Sequence, residues 1–356
     1  MFIDPVGTGY SRPARPSLGS KFWGVQGDIE AMGEFIRLYL TRYERWASPL
    51  HMVGESYGTT RAAGLAGHLI DHGIAFNGIL LVSSILNFQT ARFTRGNDLP
   101  YVLFLPTYTA TAHFHGRLSA ELSGDLRATL REAETWAEGE YSAALAKGDR
   151  LTPRERGRVA ARLARYTGLS RNYVERADLR IQIHQFCKEL LRAQGRTVGR
   201  LDSRFTGRDA SGVTATPDYD PSMSAIRPPY TALLNDYTRR QLGYHTDVPY
   251  HVLGGERKLW ETWDWGSAGD GYPDTSEALR SAFVKNPHMR VFVASGYYDL
   301  ATPYFATEYT LAHTGLDEEL RGNVVTHEYE AGHMMYIHEE SLLKLKADVD
   351  AFLAPA

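Results

Sequence analysis

The stretch HMVGESYGTTRAAGLAGHLIDHG, residues 51–73, joins an apolar run to a helix-forming run through a serine between two glycines. Met52 and Val53 predict the end of a buried strand. Residues 59–72 predict a helix, and Gly73 is placed to end it. A strand that runs directly into a helix through Gly-X-Ser-X-Gly is typical of the nucleophile elbow.

The elbow predicts a chemical role for Ser56. Such a turn holds the serine hydroxyl clear of the sheet, and the helix N-terminus beneath it favours developing negative charge. Side chains at Gly54 and Gly58 are expected to collide with neighbouring backbone in so tight a turn. The alternative is an ordinary strand–helix turn with a surface serine, because the glycine pattern alone has low specificity.

The composition excludes several classes of function. The chain has 356 residues and a net charge of −3, which leaves no electrostatic footprint for nucleic acid. No apolar run approaches the ~18 residues of a membrane span, so no membrane span is expected. The only cysteine, Cys187, cannot form an intramolecular disulfide and is expected to be a small buried side chain on a helix.

Two flanking parts of the chain predict an α/β sheet. Strands are predicted at residues 78–83, 289–295 and 323–326, and the first of these is a continuous apolar run, as expected of a parallel strand that is covered on both faces. A further strand is predicted at residues 2–4. Amphipathic helices alternate with these strands, which is typical of a parallel sheet; they are predicted at residues 26–46, 276–284, 303–313 and 340–353.

The middle of the chain has a different pattern. Residues 88–114 are predicted to be irregular, residues 120–195 helical, and residues 206–230 an extended loop before a helix at 229–242. The domain prediction is therefore an α/β core of residues 1–86 and 270–356, with a mostly helical cap of residues 87–269. Three tryptophans near the end of this region favour core packing, with a substrate-facing role as the alternative; they are Trp260, Trp263 and Trp265.

A nucleophilic serine needs a base, and the base needs an acid to orient it. In the elbow fold these partners follow the serine in the order aspartate, then histidine, each at the end of a strand. Asp299 is the only acid directly after the strand at 289–295, and His333 follows the strand near Val325. The predicted catalytic residues are Ser56, Asp299 and His333, with the Tyr57 N–H as an oxyanion donor.

Other histidines are weaker predictions. His327 lies within or at the end of its strand, His338 begins the last helix and His313 lies on a helix. No metal site is predicted, because the HEYEA segment at 327–331 lacks the second histidine of a zinc helix. His113 and His115 share one face of a strand but have no third ligand. No cofactor is expected.

These motifs resemble the serine carboxypeptidase family of α/β-hydrolases. The resemblance rests on FIDPVGTGYS at 2–11, GESYG at 54–58, GYYD at 296–299 with Pro303, and AGHM at 331–334. It implies an α/β-hydrolase sheet with a helical cap insertion, and the release of C-terminal residues from peptides with a free C-terminus through an acyl-enzyme. It also implies that Glu55 binds the substrate carboxylate, and that the protein is secreted or periplasmic.

The sequence departs from the family in three places. The Asn-Gly-Gly-Pro-Gly segment, which supplies the second oxyanion donor in the family, is absent, and so is the second pairing glutamate. We therefore expect a fold that lacks the first strands and the oxyanion loop, with further sequence upstream of Met1. Tyr336 stands where many members have proline.

Three functions stay open from the sequence. The first is a serine carboxypeptidase, the second an acyltransferase or esterase on the same framework, and the third an inactive fragment or scaffold. A glutamate can hold a substrate carboxylate only if one of the two groups carries a proton, so the first function predicts an acidic optimum. The oligomeric state is not predicted.

Overall fold

The computed structural model describes residues 1–253, 259–266 and 272–354. Its α-helices, in chain order, are α1 Val25–Arg42, α2 Tyr57–Ile70, α3 Leu99–Phe114, α4 Leu126–Trp136, α5 Ser142–Lys147, α6 Pro153–Thr167, α7 Arg171–Arg176, α8 Ile183–Glu189, α9 Pro221–Arg240, α10 Leu259–Thr262, α11 Ser276–Lys285, α12 Tyr304–Ala312, α13 Glu318–Arg321 and α14 Glu339–Leu353. A π-helical turn, Ala137–Tyr141, joins α4 to α5.

The described strands form two sheets. They are β1 His51–Glu55, β2 Gly78–Val82, β3 Thr197–Val198, β4 Thr206–Gly207, β5 Arg290–Gly296 and β6 Val324–Tyr329. The main sheet is parallel with the order β1-β2-β5-β6, and β3 and β4 form a separate antiparallel pair. Because all four main strands are parallel, their carboxyl ends lie at one edge of the sheet, where α/β folds place their sites.

Helices cover both faces of the main sheet. Alternate residues of β2 divide between the faces: Ile79 and Leu81 join the core with α1, α2 and α11, whereas Leu80 and Val82 join the core with α14. Strands that are buried on both faces need continuous apolar runs, and the sequence of β2 has one. The parallel sheet between two layers of helices, with an elbow after β1, is an α/β-hydrolase fold. No helix among the described residues is long and apolar enough to cross a membrane.

The first strand of this sheet differs from the prediction. Val53 is 66% exposed, so β1 is not a buried strand. On its side away from β2, β1 has no paired strand in the described part of the chain. Residues 2–4 form no strand, and the prediction there was wrong. The Asp4 carboxylate instead accepts hydrogen bonds from the Tyr10 N–H and the Tyr250 hydroxyl.

The middle region contains a helix that the sequence analysis missed. Residues 99–114 form α3, although the segment was predicted to be irregular. Residues 100–112 are all buried, so the helix has no polar face and none of the amphipathic periodicity by which helices are recognised. Pro106 lies inside it, a position that proline rarely takes in a helix. This helix is the centre of a second core, formed with α4, α6 and α12.

The helix α9 also begins earlier than predicted. It starts at Pro221, within the segment predicted to be a loop, and Asp220 caps it by accepting hydrogen bonds from the N–H groups of Ser222 and Met223. An aspartate followed by proline is a helix start signal. The predicted start at Pro229 lies inside this helix, next to Pro228.

Other predictions for this region hold. The stretch 120–195 is mainly helical, as predicted; within it, the structure has Thr152 as the cap of α6 and Pro153 as its first helical residue. Cys187 is buried on α8, and burial raises the pKa of its thiol well above the usual range. The division into a core of 1–86 and 270–356 and a cap of 87–269 stays a prediction.

Candidate functional site

The backbone at Ser56 has the strained conformation of a nucleophile elbow. Its φ of 56° and ψ of −123° lie in a region that residues other than glycine rarely adopt. The Ser56 N–H donates to the Val82 carbonyl at 3.0 Å, and the Ser56 carbonyl accepts from both the N–H and the hydroxyl of Thr59. These hydrogen bonds hold the turn between the last residue of β1 and the first residue of α2.

The two elbow glycines play different parts. A Cβ on Gly54 would lie 2.2 Å from the Gly58 carbonyl oxygen, so the predicted collision is present there. A Cβ on Gly58 would have no atom within 4 Å, and the prediction for that position was wrong. The helix turns away at Gly58, whereas Gly54 faces the backbone that returns over it.

Tyr57 is the first residue of α2. None of the described residues accepts a hydrogen bond from its N–H, which leaves this donor free beside Ser56. Its ring packs edge-on against Trp263 at 5.2 Å and Trp265 at 6.1 Å, and the Arg61 guanidinium lies 5.3 Å from it. These contacts fix the side chain and hence the direction of the backbone donor.

The tryptophans therefore only partly match their predicted role in the core. Trp260 is 53% exposed, so the core interpretation was wrong for it. Trp263 and Trp265 are partly buried against Tyr57, close to the elbow.

Asp299 is fully buried in a polar loop directly after β5. Its Oδ1 accepts from the N–H groups of Ala301 and Thr302 at 2.8 and 3.0 Å. Its Oδ2 accepts from the Thr302 hydroxyl at 2.7 Å and contacts His333 Nδ1 at 2.7 Å. A buried carboxylate with all its acceptor sites used is held in one orientation.

His333 is held just as firmly in the loop after β6. Its N–H donates to the Leu201 carbonyl at 2.7 Å, and its carbonyl accepts from the Ser83 hydroxyl at 2.7 Å. Because Nδ1 faces the Asp299 carboxylate, the proton of the neutral ring lies on Nδ1 and Nε2 is left as the acceptor. Nε2 has no partner among the described residues.

Opposing effects set the basicity of His333. Burial alone would lower the pKa of its imidazole, but the charge of Asp299 and the hydrogen bond to it raise the pKa above its ordinary value, and Glu55 adds to that rise. A base with a raised pKa takes up a proton more readily.

The structure brings Asp299 and His333 into contact and places Ser56 nearby. Val82 accepts from the Ser56 N–H and the next residue, Ser83, bonds to His333, so a pair of adjacent residues links the two. Ser56 Oγ and His333 Nε2 form no hydrogen bond in the described structure. Such bonds are often long until substrate binds. The assignment of these residues to catalysis stays a prediction.

Glu55 lies on β1 next to Ser56. Both of its carboxylate oxygens accept from the Tyr336 hydroxyl, at 3.0 and 2.9 Å. Burial raises the pKa of Glu55, while the charge of His333 and the Tyr336 hydrogen bond act against that rise. The predicted carboxylate-binding residue is therefore already engaged by a neighbour. The role itself stays a prediction.

The other histidines have separate surroundings. His327 is on β6, stacks on Phe292 and lies 3.4 Å from the Asp348 carboxylate. His115 contacts the Ser203 carbonyl at 2.7 Å, and both His113 and His115 lie at the end of α3 rather than on a strand. Within the described ranges, no three histidine, cysteine or acidic side chains gather as a metal site would require.

Three residues that hold the site were missed by the sequence analysis: Ser83, Thr302 and Tyr336. Ser83 follows β2 with a positive φ of 51°, and the serine pair after an apolar run was its only signal. Thr302 lies three residues after Asp299, the spacing at which an aspartate commonly bonds to the following backbone. Tyr336 gave no signal beyond its place after the histidine.

Comparisons with known proteins add little to the evidence on family and function. No family model and no curated protein matches the chain. Solved structures similar to it include VinJ and a highly thermostable carboxyl esterase from Bacillus coagulans in complex with glycerol. Each is 13% identical, with 98% of this chain and 78% of the other covered, at a TM-score of 0.36. So low a TM-score carries no weight, and the α/β-hydrolase fold rests on the parallel sheet and the elbow. The comparisons do not support the serine carboxypeptidase family in particular.

Proposed function

We propose that the protein is a serine hydrolase that acts through an acyl-enzyme. Ser56 is the nucleophile, His333 the general base and acid, Asp299 its orienting partner, and the Tyr57 N–H an oxyanion donor. The observation that carries the proposal is the buried contact of 2.7 Å between His333 Nδ1 and Asp299 Oδ2, next to a serine in a strained elbow. A buried acid–imidazole pair directs the free Nε2 of the ring toward a reacting proton.

The reaction follows from these positions. Ser56 Oγ attacks the substrate carbonyl carbon while its proton passes to His333 Nε2, and the oxyanion that forms accepts a hydrogen bond from the Tyr57 N–H. The C–N or C–O bond then breaks, and Nε2 returns the proton to the leaving amine or alcohol. Water repeats the two steps on the acyl-enzyme and releases the acid.

A peptide with a free C-terminus is the first candidate substrate. Burial raises the pKa of Glu55, so this carboxyl holds its proton to a higher pH than an exposed one. A protonated Glu55 beside the nucleophile supports binding of a substrate carboxylate, because one proton then lies between the two groups. The enzyme would be a serine-type carboxypeptidase.

A carboxylic ester is the second candidate substrate, for hydrolysis or acyl transfer. The observation in its favour is that the Tyr336 hydroxyl bonds to both oxygens of Glu55. A carboxylate engaged in this way binds a substrate carboxylate less readily, and an uncharged ester needs no such contact.

A fluorophosphonate probe tests the nucleophile. We expect covalent labelling of the wild-type protein, and none of Ser56→Ala or of heat-unfolded wild type. Failure to label the folded protein would favour the inactive scaffold and contradict the proposal.

Substrate class is tested with a blocked dipeptide acid, its amide and a simple ester, assayed side by side. Preference for the acid over the amide supports the carboxypeptidase. Cleavage of the ester alone supports the esterase, and equal cleavage of acid and amide excludes the carboxypeptidase.

A further inference from the structure

A third polar atom lies at the contact between Asp299 and His333. Oδ2 of Asp299 is 2.7 Å from Nδ1 of His333 and also 2.7 Å from the hydroxyl oxygen of Thr302. The Thr302 oxygen is 3.3 Å from the same ring nitrogen, so the three atoms form a closed triangle. All three side chains are buried, and the triangle is therefore shielded from bulk solvent.

The proton positions in this triangle follow from the chemistry of the three groups. An ionised carboxylate carries no hydrogen, so the Thr302 hydroxyl donates to Oδ2. The neutral ring of His333 carries its proton on Nδ1 and donates to the same oxygen. The other oxygen of Asp299 accepts from the backbone N–H groups of Ala301 and Thr302. Two side chains therefore compete for Oδ2 alone.

The Thr302 hydroxyl is held in place by the backbone around it. The N–H of Thr302 donates to Oδ1 of Asp299 at 3.0 Å. Pro303 follows, and a residue before proline is kept out of the helical backbone region. The Pro303 carbonyl accepts from the Ala306 N–H in the first turn of α12. Because threonine is β-branched, its side-chain rotation is also restricted, and the hydroxyl stays beside Oδ2.

The imidazole is held independently of Thr302. The N–H of His333 donates to the Leu201 carbonyl, and the carbonyl of His333 accepts from the Ser83 hydroxyl. Removal of the Thr302 hydroxyl would leave both contacts intact. The ring would still face Oδ2, and it would then be the sole side-chain donor to that oxygen.

The competition has an electrostatic consequence. A hydroxyl that donates to a carboxylate stabilises the negative charge and withdraws part of it from other partners. The imidazolium that forms when the base takes up a proton depends on that charge. The Thr302 hydroxyl thus opposes protonation of His333, in the same direction as burial.

The other influences on His333 come from separate groups. Burial lowers the pKa of the ring, whereas the charge of Asp299 and the hydrogen bond to it raise the pKa above its ordinary value. The charge of Glu55 raises the pKa further, and the charge of Arg200 lowers it. A change at Thr302 keeps all these groups, so a shift in the titration of His333 reports the hydroxyl.

One ion pair also touches the loop that carries the histidine. Arg204 binds the Asp202 carboxylate at 2.7 Å and donates to the Glu330 carbonyl at 2.7 Å. Opposite charges at this separation largely cancel at longer range, so the pair is a minor influence on the imidazole.

We propose that Thr302 is a positioning residue of the hydrolase, whose hydroxyl competes with His333 for Oδ2 of Asp299 and so limits how strongly the carboxylate supports a proton on the imidazole. This inference rests on the proposed function and deepens it, because it names a group that sets the pH range of the base. With the hydroxyl present, His333 stays neutral to a lower pH than the acid–imidazole pair alone would allow.

Nitrogen-15 NMR of the histidine side chains tests this without any substrate. The ring signals of His333, assigned by their absence from His333→Gln, are followed against pH in wild type and in Thr302→Val. Valine keeps the branched shape and the N–H that binds Oδ1, and it removes the hydroxyl. We expect the pKa of His333 to rise by up to about one unit in Thr302→Val, because a hydrogen bond of ordinary strength corresponds to a shift of about that size.

Matched variants control for the loss of a buried hydroxyl. Thr302→Ser keeps the hydroxyl and should titrate close to wild type. Thr310→Val removes a hydroxyl of α12 that bonds to the Ala306 carbonyl, and it should leave the titration of His333 in place. If Thr302→Val does not fold, Thr302→Ala makes the same test without placing a methyl group where the hydroxyl was.

The pH dependence of fluorophosphonate labelling gives a second readout. His333 must be neutral to act as a base, so the acid limb of the labelling rate should move to higher pH in Thr302→Val. A purely structural role would slow labelling at every pH and leave the limb in place.

An unmoved or lowered pKa of His333 in Thr302→Val, or an equal rise in Thr310→Val, would overturn the inference. The titration needs no turnover, so the two proposals fail separately. Wild-type protein that is not labelled contradicts the proposed function alone. Labelled wild type whose His333 titration does not respond to Thr302→Val contradicts this inference alone.

Discussion

The two halves of the candidate site are built on strands with different surroundings. Asp299 follows β5, which lies between two other strands with residues 291–296 buried, and His333 follows β6 at the other end of the described sheet; both side chains are buried. Ser56 and Glu55 belong to β1, which lies at one end of the described sheet and exposes Val53. The acid–base half is inside the fold, whereas the nucleophile half is at its margin.

This difference shows how each half keeps its geometry. The acid–base half is fixed by hydrogen bonds, which use every acceptor of Asp299 and both backbone polar groups of His333. The nucleophile half is fixed mainly by backbone conformation, through the positive φ of Ser56 and the close approach at Gly54. Substitutions in the first half should change proton transfer, and those in the second should move the hydroxyl.

The largest expected effect is in the acid–base half. Asp299→Asn keeps the shape of the side chain, but an amide cannot stabilise the imidazolium and favours the wrong tautomer. We expect kcat to fall about 10³- to 10⁴-fold while KM changes little. The measurement is steady-state kinetics on whichever acyl substrate wild type cleaves, and a variant that keeps most of the wild-type kcat would show that Asp299 does not orient the base.

In the nucleophile half, two glycine substitutions form a matched pair. Gly54→Ala places a methyl group 2.2 Å from the Gly58 carbonyl oxygen, and overpacking of this kind costs about 1–3 kcal/mol. Gly58→Ala meets no atom within 4 Å and should stabilise the helix by up to about 1 kcal/mol. Urea unfolding measures stability, and the rate of fluorophosphonate labelling reports the position of Ser56.

We expect labelling to slow in Gly54→Ala alone. Equal stability of the two variants would show that the elbow relaxes without moving β1.

Ser83→Ala tests how far the acid–base half depends on the hydrogen bond between the Ser83 hydroxyl and the His333 carbonyl. It removes the hydroxyl that bonds to the His333 carbonyl and leaves that buried oxygen without this donor. The expected loss of unfolding free energy is about 1–3 kcal/mol. Ser123→Ala is the control, because its hydroxyl bonds to a carbonyl at the exposed surface. Similar losses in both variants would mean that the His333 loop does not depend on this hydrogen bond.

The smallest expected effect concerns the interaction between the two halves, in which the charge of Glu55 acts on His333. Glu55 raises the pKa of His333 through its charge, so Glu55→Gln should lower that pKa. His333 must be neutral to act as a base, and a lower pKa makes it neutral at lower pH. The acid limb of kcat/KM should therefore move to lower pH by less than about one unit.

Glu319→Gln, an exposed change on α13, is the control for this pH profile. A limb that moves to higher pH in Glu55→Gln would show that Glu55 does not act on His333 as an anion.

The sequence allowed the prediction of features that depend on local pattern. The elbow has a local sequence signature. The expected order of serine, aspartate and histidine along the chain pointed to residues that lie at one edge of the sheet. Features that depend on distant packing were not predictable. The helix α3 is apolar on every side because other helices surround it, and a one-dimensional pattern carries no record of that environment.

The same limit explains the errors around β1. An apolar run predicts burial, but Val53 is exposed because burial requires a neighbour in space. Tyr336 bonds to Glu55 across 281 positions of the chain, and the Leu201 carbonyl accepts from the His333 N–H through a contact that leaves no trace in the sequence.

Backbone hydrogen bonds of residues 199–205 reach both loops of the site: the Arg200 carbonyl accepts from the Leu300 N–H at 3.0 Å, and the Leu201 carbonyl accepts from the His333 N–H at 2.7 Å. They join the connection between β3 and β4 to the loops that carry Asp299 and His333. A shift of the helical region at this connection would therefore also move the acid and the base. Transplanting the helical region onto another hydrolase would therefore require that the recipient's aspartate and histidine loops be replaced together with it.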